Sequence, residues 1–161
     1  MRETDRPLPL RLSVLDRMRA ESDALPEPHG AGPMMQHVDV ASVRLAFSDD
    51  DHRVYLGLAG PGDSLFLWSE STFGGGVSIG PRETLVTHGA RVQSSWNSDG
   101  GGEVVGIVSD EVTAVHVGGA EAVLGNNVFV AVGASSDDRI VVHTADGERT
   151  VRRPRLPRGD T

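Results

Sequence analysis

Glu103-Val-Val-Gly-Ile-Val-Ser-Asp110, Glu111-Val-Thr-Ala-Val-His-Val-Gly118 and Asn126-Asn-Val-Phe-Val-Ala-Val132 are the stretches that decide the fold class. Each is a short β-branched run ended by Gly, Asp or Asn, the residues that turns require and strands avoid. The pattern predicts antiparallel β structure. Upstream, Val38, Val40, Val43, Leu45 and Phe47 predict a strand with an irregularity near Ala41 and Ser42. The polar turn 48–52 then leads into Arg53–Leu58, and Gly60-Pro-Gly-Asp63 into Ser64–Trp68, so these three strands form a meander. Downstream, Ala122–Leu124, Val128–Val132, Ile140–Thr144 and Arg149–Arg152 are further strands. Ala145-Asp-Gly-Glu148 is a hairpin signal, because Asp-Gly supplies the positive φ values of a primed turn. The expected fold is mainly β, an antiparallel sandwich or barrel-like domain of about eight to ten short strands.

The N-terminal part reads differently. Leu8, Leu12, Leu15, Met18, Ser22 and Leu25 follow helical spacing with charged residues between them. Ser13 with Asp16 offers a start signal and Pro26 a stop, which predicts one amphipathic helix of about three turns. Three segments follow: an N-terminal helix and Pro/Gly-rich linker over 1–34, a β domain over 35–152 and a basic, Pro-rich tail over 153–161. Between the strand-rich halves, 69–101 is the least regular stretch, with Gly74–Gly76 and Asp99–Gly102 bracketing runs at Thr84–Thr87 and Arg91–Gln93 that read as short strands or as one brief helix after Pro81.

With 161 residues and a formal charge of -8, the chain has one ordinary core and an acidic surface, which argues against nucleic acid as a partner. Every basic side chain is Arg. Arg149, Arg152, Arg153, Arg155 and Arg158 crowd into the last strand and tail, read as a solvated basic segment or as a docking element for an acidic partner. No Cys occurs, so disulfides, thiolate metal sites and Cys nucleophiles are excluded. No apolar run approaches the about 20 residues of a membrane span and no export signal is visible, so a soluble, cytoplasmic protein is expected.

Val104-Val-Gly-Ile-Val-Ser-Asp-Glu-Val-Thr-Ala-Val-His-Val-Gly118, followed by Asn126-Asn-Val-Phe-Val130, resembles a segment of an uncharacterised actinobacterial β-rich protein family. In that family a G-x-V-x-D-x-V-x-x-V strand pair precedes an N-x-x-F strand. The resemblance extends over 53–151 and is sharpest over 104–130. It implies a β fold and no assigned activity, so no catalytic residue is carried over. Relatives of this kind often carry an N-terminal anchor or signal and cysteines in the domain. This chain shows neither, which counts against an envelope location.

Each catalytic or ligand-binding motif requires a particular structural context. Gly76-Val-Ser-Ile-Gly80 matches the G-x-S-x-G elbow that lifts a Ser nucleophile, here Ser78, out of a strand-to-helix turn. The preceding 71–76 segment is not a buried strand and no βα alternation surrounds it, so a Gly-rich surface loop is the expectation. Asp110 or Asp137 with His116 or His143 has the chain order of a triad without further support. The six histidines lack the spacing that puts two ligands on one face of an element, although His116 and His143 both fall in strands and are placed to face each other across a sheet. Asp49-Asp-Asp51 and Asn97–Glu103 carry oxygen ligands without the spacing of the helix-loop-helix Ca2+ site. No phosphate-binding loop is present. Trp96, in Ser94-Ser-Trp-Asn-Ser98, is a candidate recognition contact.

These readings favour a non-enzymatic β-rich binding module with no cofactor. Its expected binding surface comprises Trp96, Ser78, Arg152, Arg153 and Arg155, with a protein partner taken through the N-terminal helix or the basic tail. The alternatives are a small serine hydrolase using Ser78 and a divalent-metal-binding domain.

Overall fold

The computed structural model describes residues 11–24, 36–60, 64–71, 74–81, 90–96, 102–132 and 139–151. Twelve strands run through them: β1 Val38–Ser48, β2 His52–Ala59, β3 Ser64–Ser71, β4 Gly74–Pro81, β5 Ala90–Trp96, β6 Gly102–Val108, β7 Val112–Val117, β8 Ala120–Glu121, β9 Val123–Leu124, β10 Val128–Val132, β11 Ile140–Thr144 and β12 Gly147–Val151. They form three four-stranded sheets, ordered β1-β2-β3-β4, β5-β6-β10-β9 and β12-β11-β7-β8, and every pairing is antiparallel.

The side-chain period of two explains how the sheets share their cores. In β6, Val105 and Ile107 join Val54, Leu56, Leu65 and Leu67 of the first sheet, whereas Val104 and Val108 join Val115, Val117, Ile140 and Val142 of the third. Phe129 of β10 points to the third sheet, and its neighbours Val128 and Val130 to the first. The second sheet thus gives one face to each of its neighbours. That is why 104–108 reads as continuous apolar sequence rather than as alternation. A further cluster, Val43, Tyr55, Ala59, Phe66 and Trp68, lies on the opposite face of the first sheet.

The meander of β1 to β3 is as expected, and its irregularity is real: the β1–β2 register shifts between Asp39 and Arg44. Other expectations need correction. The barrel-like alternative is not met: the strands form three sheets, with no closed barrel among the described residues. The irregular middle contributes two regular strands, β4 and β5. The Ala145–Glu148 hairpin forms with Ala145 and Asp146 as its loop and Thr144 paired with Gly147. Positive φ is confined there to Gly147, at 136°, so the turn is not the primed Asp-Gly type. Arg149 is buried in β12 opposite Val142 and does not belong to a solvated tail.

The largest correction concerns the N-terminus. Among the described residues no amphipathic helix forms; 11–24 carries only two 3-10 turns, Ser13–Asp16 and Glu21–Asp23. The buried apolar residues are Leu12 and Val14, two apart, and Met18 of the expected apolar stripe is 88% exposed. A short isolated helix is marginal, and here tertiary partners take the backbone groups it needs. The Val14 N–H donates to Asn127 Oδ1 at 2.9 Å, the Ser13 N–H to Asp110 Oδ1 at 3.1 Å, and the Asp110 N–H to the Arg11 carbonyl at 2.8 Å. Leu12 and Val14 enter the core between the first and second sheets, so these two side chains are covered by the chain itself.

Asp23 fixes the other end of the segment. Its fully buried carboxylate accepts Arg17 Nη2 at 2.6 Å, the Ala20 N–H at 2.7 Å and the Leu45 N–H at 2.8 Å. Burial pushes the Asp23 carboxyl up, and these hydrogen bonds with the Arg17 charge outweigh it, leaving it below the usual carboxylate range. Asp110 is likewise lowered: burial raises it, while the bonds from Asn127 and Ser13 prevail. A carboxyl whose folded pKa is depressed adds stability that is present above its unfolded pKa, about 3.9, and lost as pH falls through the folded value. Acidification below about pH 4 is therefore expected to lower the melting midpoint. The fall should be shallower in Asp23→Asn and Asp110→Asn, and equal pH slopes for wild type and variants would contradict the assignment.

Candidate functional site

Two places on the described surface combine geometry with chemistry. The first is a groove of about 310 Å³ where the three sheets meet, lined by Phe47, Asp49 and His52 from the first, Val123 and Val130–Val132 from the second, and Val117, Gly118, Ala120 and Glu121 from the third. It exists because the chain changes sheets there. Gly118 and Gly119, with φ of 61° and 87°, make the tight turn from β7 to β8. After β8 the chain passes Ala122, whose N–H donates to the Val115 carbonyl, and joins β10 as β9. Because β9 pairs only with Phe129 and Val130, the β10 edge is left without a ladder partner at Ala131 and Val132 among the described residues.

The groove surface is as polar as it is apolar, with exposed valines beside an acidic margin. Val123 is 56% and Val132 54% exposed, which is uncommon for β-branched side chains that could face a core. Glu121 is exposed, and Asp49 is held by the N–H groups of Asp51 and His52 and by His52 Nδ1 at 3.0 Å. Burial pushes the Asp49 carboxyl up, but these bonds and the His52 ring hold it below the usual range, so it is anionic at neutral pH. The Asp49–Asp51 turn is thus organised by its own backbone.

The second place is the outer face of the third sheet. His116 of β7 and His143 of β11 are diagonal neighbours, with Val141 opposite His116 and Ala114 opposite His143. Their rings meet edge to face with centroids 4.7 Å apart, and His116 Nδ1 lies 2.9 Å from His143 Nε2. On the far side of His143, Nδ1 is 3.8 Å from Glu148 Oε1. The expected meeting of these two histidines across a sheet therefore occurs. Among the described residues no group of three or more His, Asp or Glu converges on a common point.

The other expected site residues are not gathered at either place. Ser78 lies within β4, paired with Leu67 in an unbroken β3–β4 ladder, on the sheet face that Leu67 shares. An elbow needs a sharp strand-to-helix turn, whereas 74–81 is extended and Asn127 is the one non-glycine residue with positive φ among those described. The expected surface loop is likewise replaced by a strand. Trp96 ends β5 opposite Gly102, in a strand rather than a loop; its side chain lies outside the described residues. Arg152, Arg153 and Arg155, the run 84–87, Asp137 and most of Asn97–Glu103 also lie outside them. Asp110 serves the N-terminal segment and Asn127, and no triad forms around it. No described helix is long and apolar enough to cross a membrane.

The groove was missed because its residues come from three sheets and share no local pattern. Val132, an apolar residue just before a Gly/Ser/Asp stretch, was the only signal in the chain. Comparison of this chain with protein-family models, with curated proteins and with solved structures returns no match.

Proposed function

We propose that this protein is a non-enzymatic binding module that takes an extended peptide segment at the junction of its three sheets. The observation that carries this reading is the coincidence of a β10 edge that has no ladder partner among the described residues at Ala131–Val132 with exposed Val123 and Val132 and the carboxylates of Asp49 and Glu121. An added strand would gain main-chain hydrogen bonds along that edge, and alternate side chains would enter the groove. The acidic margin favours a partner with Lys or Arg beside its apolar residues. A groove near the low end of ligand-pocket volumes accepts one or two side chains, which fits a peptide better than a large cofactor.

Selection from a displayed peptide library tests this. Recovered sequences should alternate apolar and basic residues. Val132→Asp, at an exposed position, should leave the melt unchanged and weaken binding at least about tenfold, the equivalent of about 1.4 kcal/mol. Met18→Asp, at an exposed position in the N-terminal segment, should change neither. Recovery of no binders, or of binders indifferent to Val132→Asp, would sink the proposal.

A further inference from the structure

Beyond the peptide groove, we propose that His116 and His143 form a binding site for a borderline divalent transition ion, with Cu2+ bound most tightly and Ni2+ and Zn2+ after it. Imidazole nitrogens suit these ions, and the order follows their general affinity for nitrogen donors. The geometry is specific. Two ligands at about 2.0–2.1 Å from one ion, separated by an angle of 90–109°, stand about 2.9–3.4 Å apart. His116 Nδ1 and His143 Nε2 are already 2.9 Å apart, the separation of cis ligands at a right angle.

The surroundings support the same assignment. His143 presents Nε2 to its partner ring while Nδ1 faces the Glu148 carboxylate at 3.8 Å. A metal-bound histidine characteristically places its second ring nitrogen towards a carboxylate, which fixes the tautomer and raises the basicity of the ligating nitrogen. With the proton of His143 on Nδ1, its Nε2 accepts from His116 Nδ1–H. To bind an ion, His116 moves its proton to Nε2 and both rings turn until their lone pairs share an apex. The side chains stand on the paired strands β7 and β11, whose register is regular from Ile140 to His143 and shifts only between His143 and Thr144, so the ladder positions the pair. The half-exposed outer face leaves the remaining coordination positions to water.

Titration of the full chain with CuSO4, NiCl2 and ZnCl2, read by calorimetry, together with the electron paramagnetic resonance spectrum of the Cu2+ form, decides the matter. The expected result is saturable binding of one ion with hyperfine coupling to two nitrogens. Binding should weaken at least about tenfold in His116→Ala and in His143→Ala and about tenfold in Glu148→Gln, and should be unchanged in His37→Ala, an exposed position remote in sequence from the pair. In the wild-type chain, Cu2+ should selectively broaden the ring resonances of His116 and His143, a readout that needs no variant to fold. Absence of saturable one-to-one binding, coupling to fewer than two nitrogens, broadening elsewhere, or affinity unaltered by either histidine substitution would overturn the proposal.

Discussion

Removal of residues 1–30 is expected to lower the free energy of unfolding by about 4–6 kcal/mol, a large part of the about 5–15 kcal/mol that holds a domain of this kind together. Leu12 and Val14 are buried at 8% and 4% exposure among Ala46, Val54, Val105 and Val128. Burial of side chains of this size stabilises by about 1.5–3 kcal/mol each. The deletion also strips the Leu45 N–H of its Asp23 acceptor and the Arg44 guanidinium of the Arg17 carbonyl at 2.7 Å. Thermal and urea unfolding of the shortened chain measure the effect. An unchanged midpoint would mean that the segment contributes nothing to the core. Leu12→Ala alone should cost about 2–3 kcal/mol and checks the same contact in a full-length chain.

The second large effect is expected at Asn127. This buried residue has φ of 67° and uses its amide in three directions: Oδ1 accepts the Val14 N–H, and Nδ2 donates to the Val108 carbonyl at 3.1 Å and to Asp110 Oδ1 at 2.7 Å. One side chain thereby joins the N-terminal segment, the end of β6 and the turn before β7. Asn127→Ala removes these bonds, leaves buried backbone groups without partners and puts a β-carbon residue without a polar side chain in the left-handed region. The cost should be about 3 kcal/mol. Asn127→Gly retains the backbone freedom and loses the amide, so it should cost about 1 kcal/mol less than Ala. Equal effects of the two would show that conformation contributes nothing, and two small effects would remove Asn127 from the account.

Strand positions were legible in the sequence where one residue type had one role. The valine runs of β6, β7, β10 and β11 and the irregularity in β1 follow from β-branched sequence and turn chemistry acting locally. The N-terminal segment was misread because leucine spacing reports only intrinsic periodicity. Its backbone N–H groups are claimed by Asp110 and Asn127, 97 and 113 positions away. β4 was misread because Gly74-Gly-Gly76 favours loops unless a neighbouring strand supplies a ladder, which β3 does over its full length. Arg149 looked like part of a basic tail because sequence gives its charge and not its face. Of the candidate sites, the His116–His143 meeting was readable from strand assignments, since both were placed in strands of one domain. The groove was not, because it depends on how three sheets are packed.

The binding reading is tested most directly by intermolecular NOEs between a selected peptide and the isotope-labelled protein. The account predicts Hα and HN contacts from the peptide to Ala131 and Val132 in an antiparallel or parallel ladder, with peptide side chains against the Val123 and Val132 methyls. Contacts confined to any other surface, or a bound peptide with no backbone contact to β10, would contradict it.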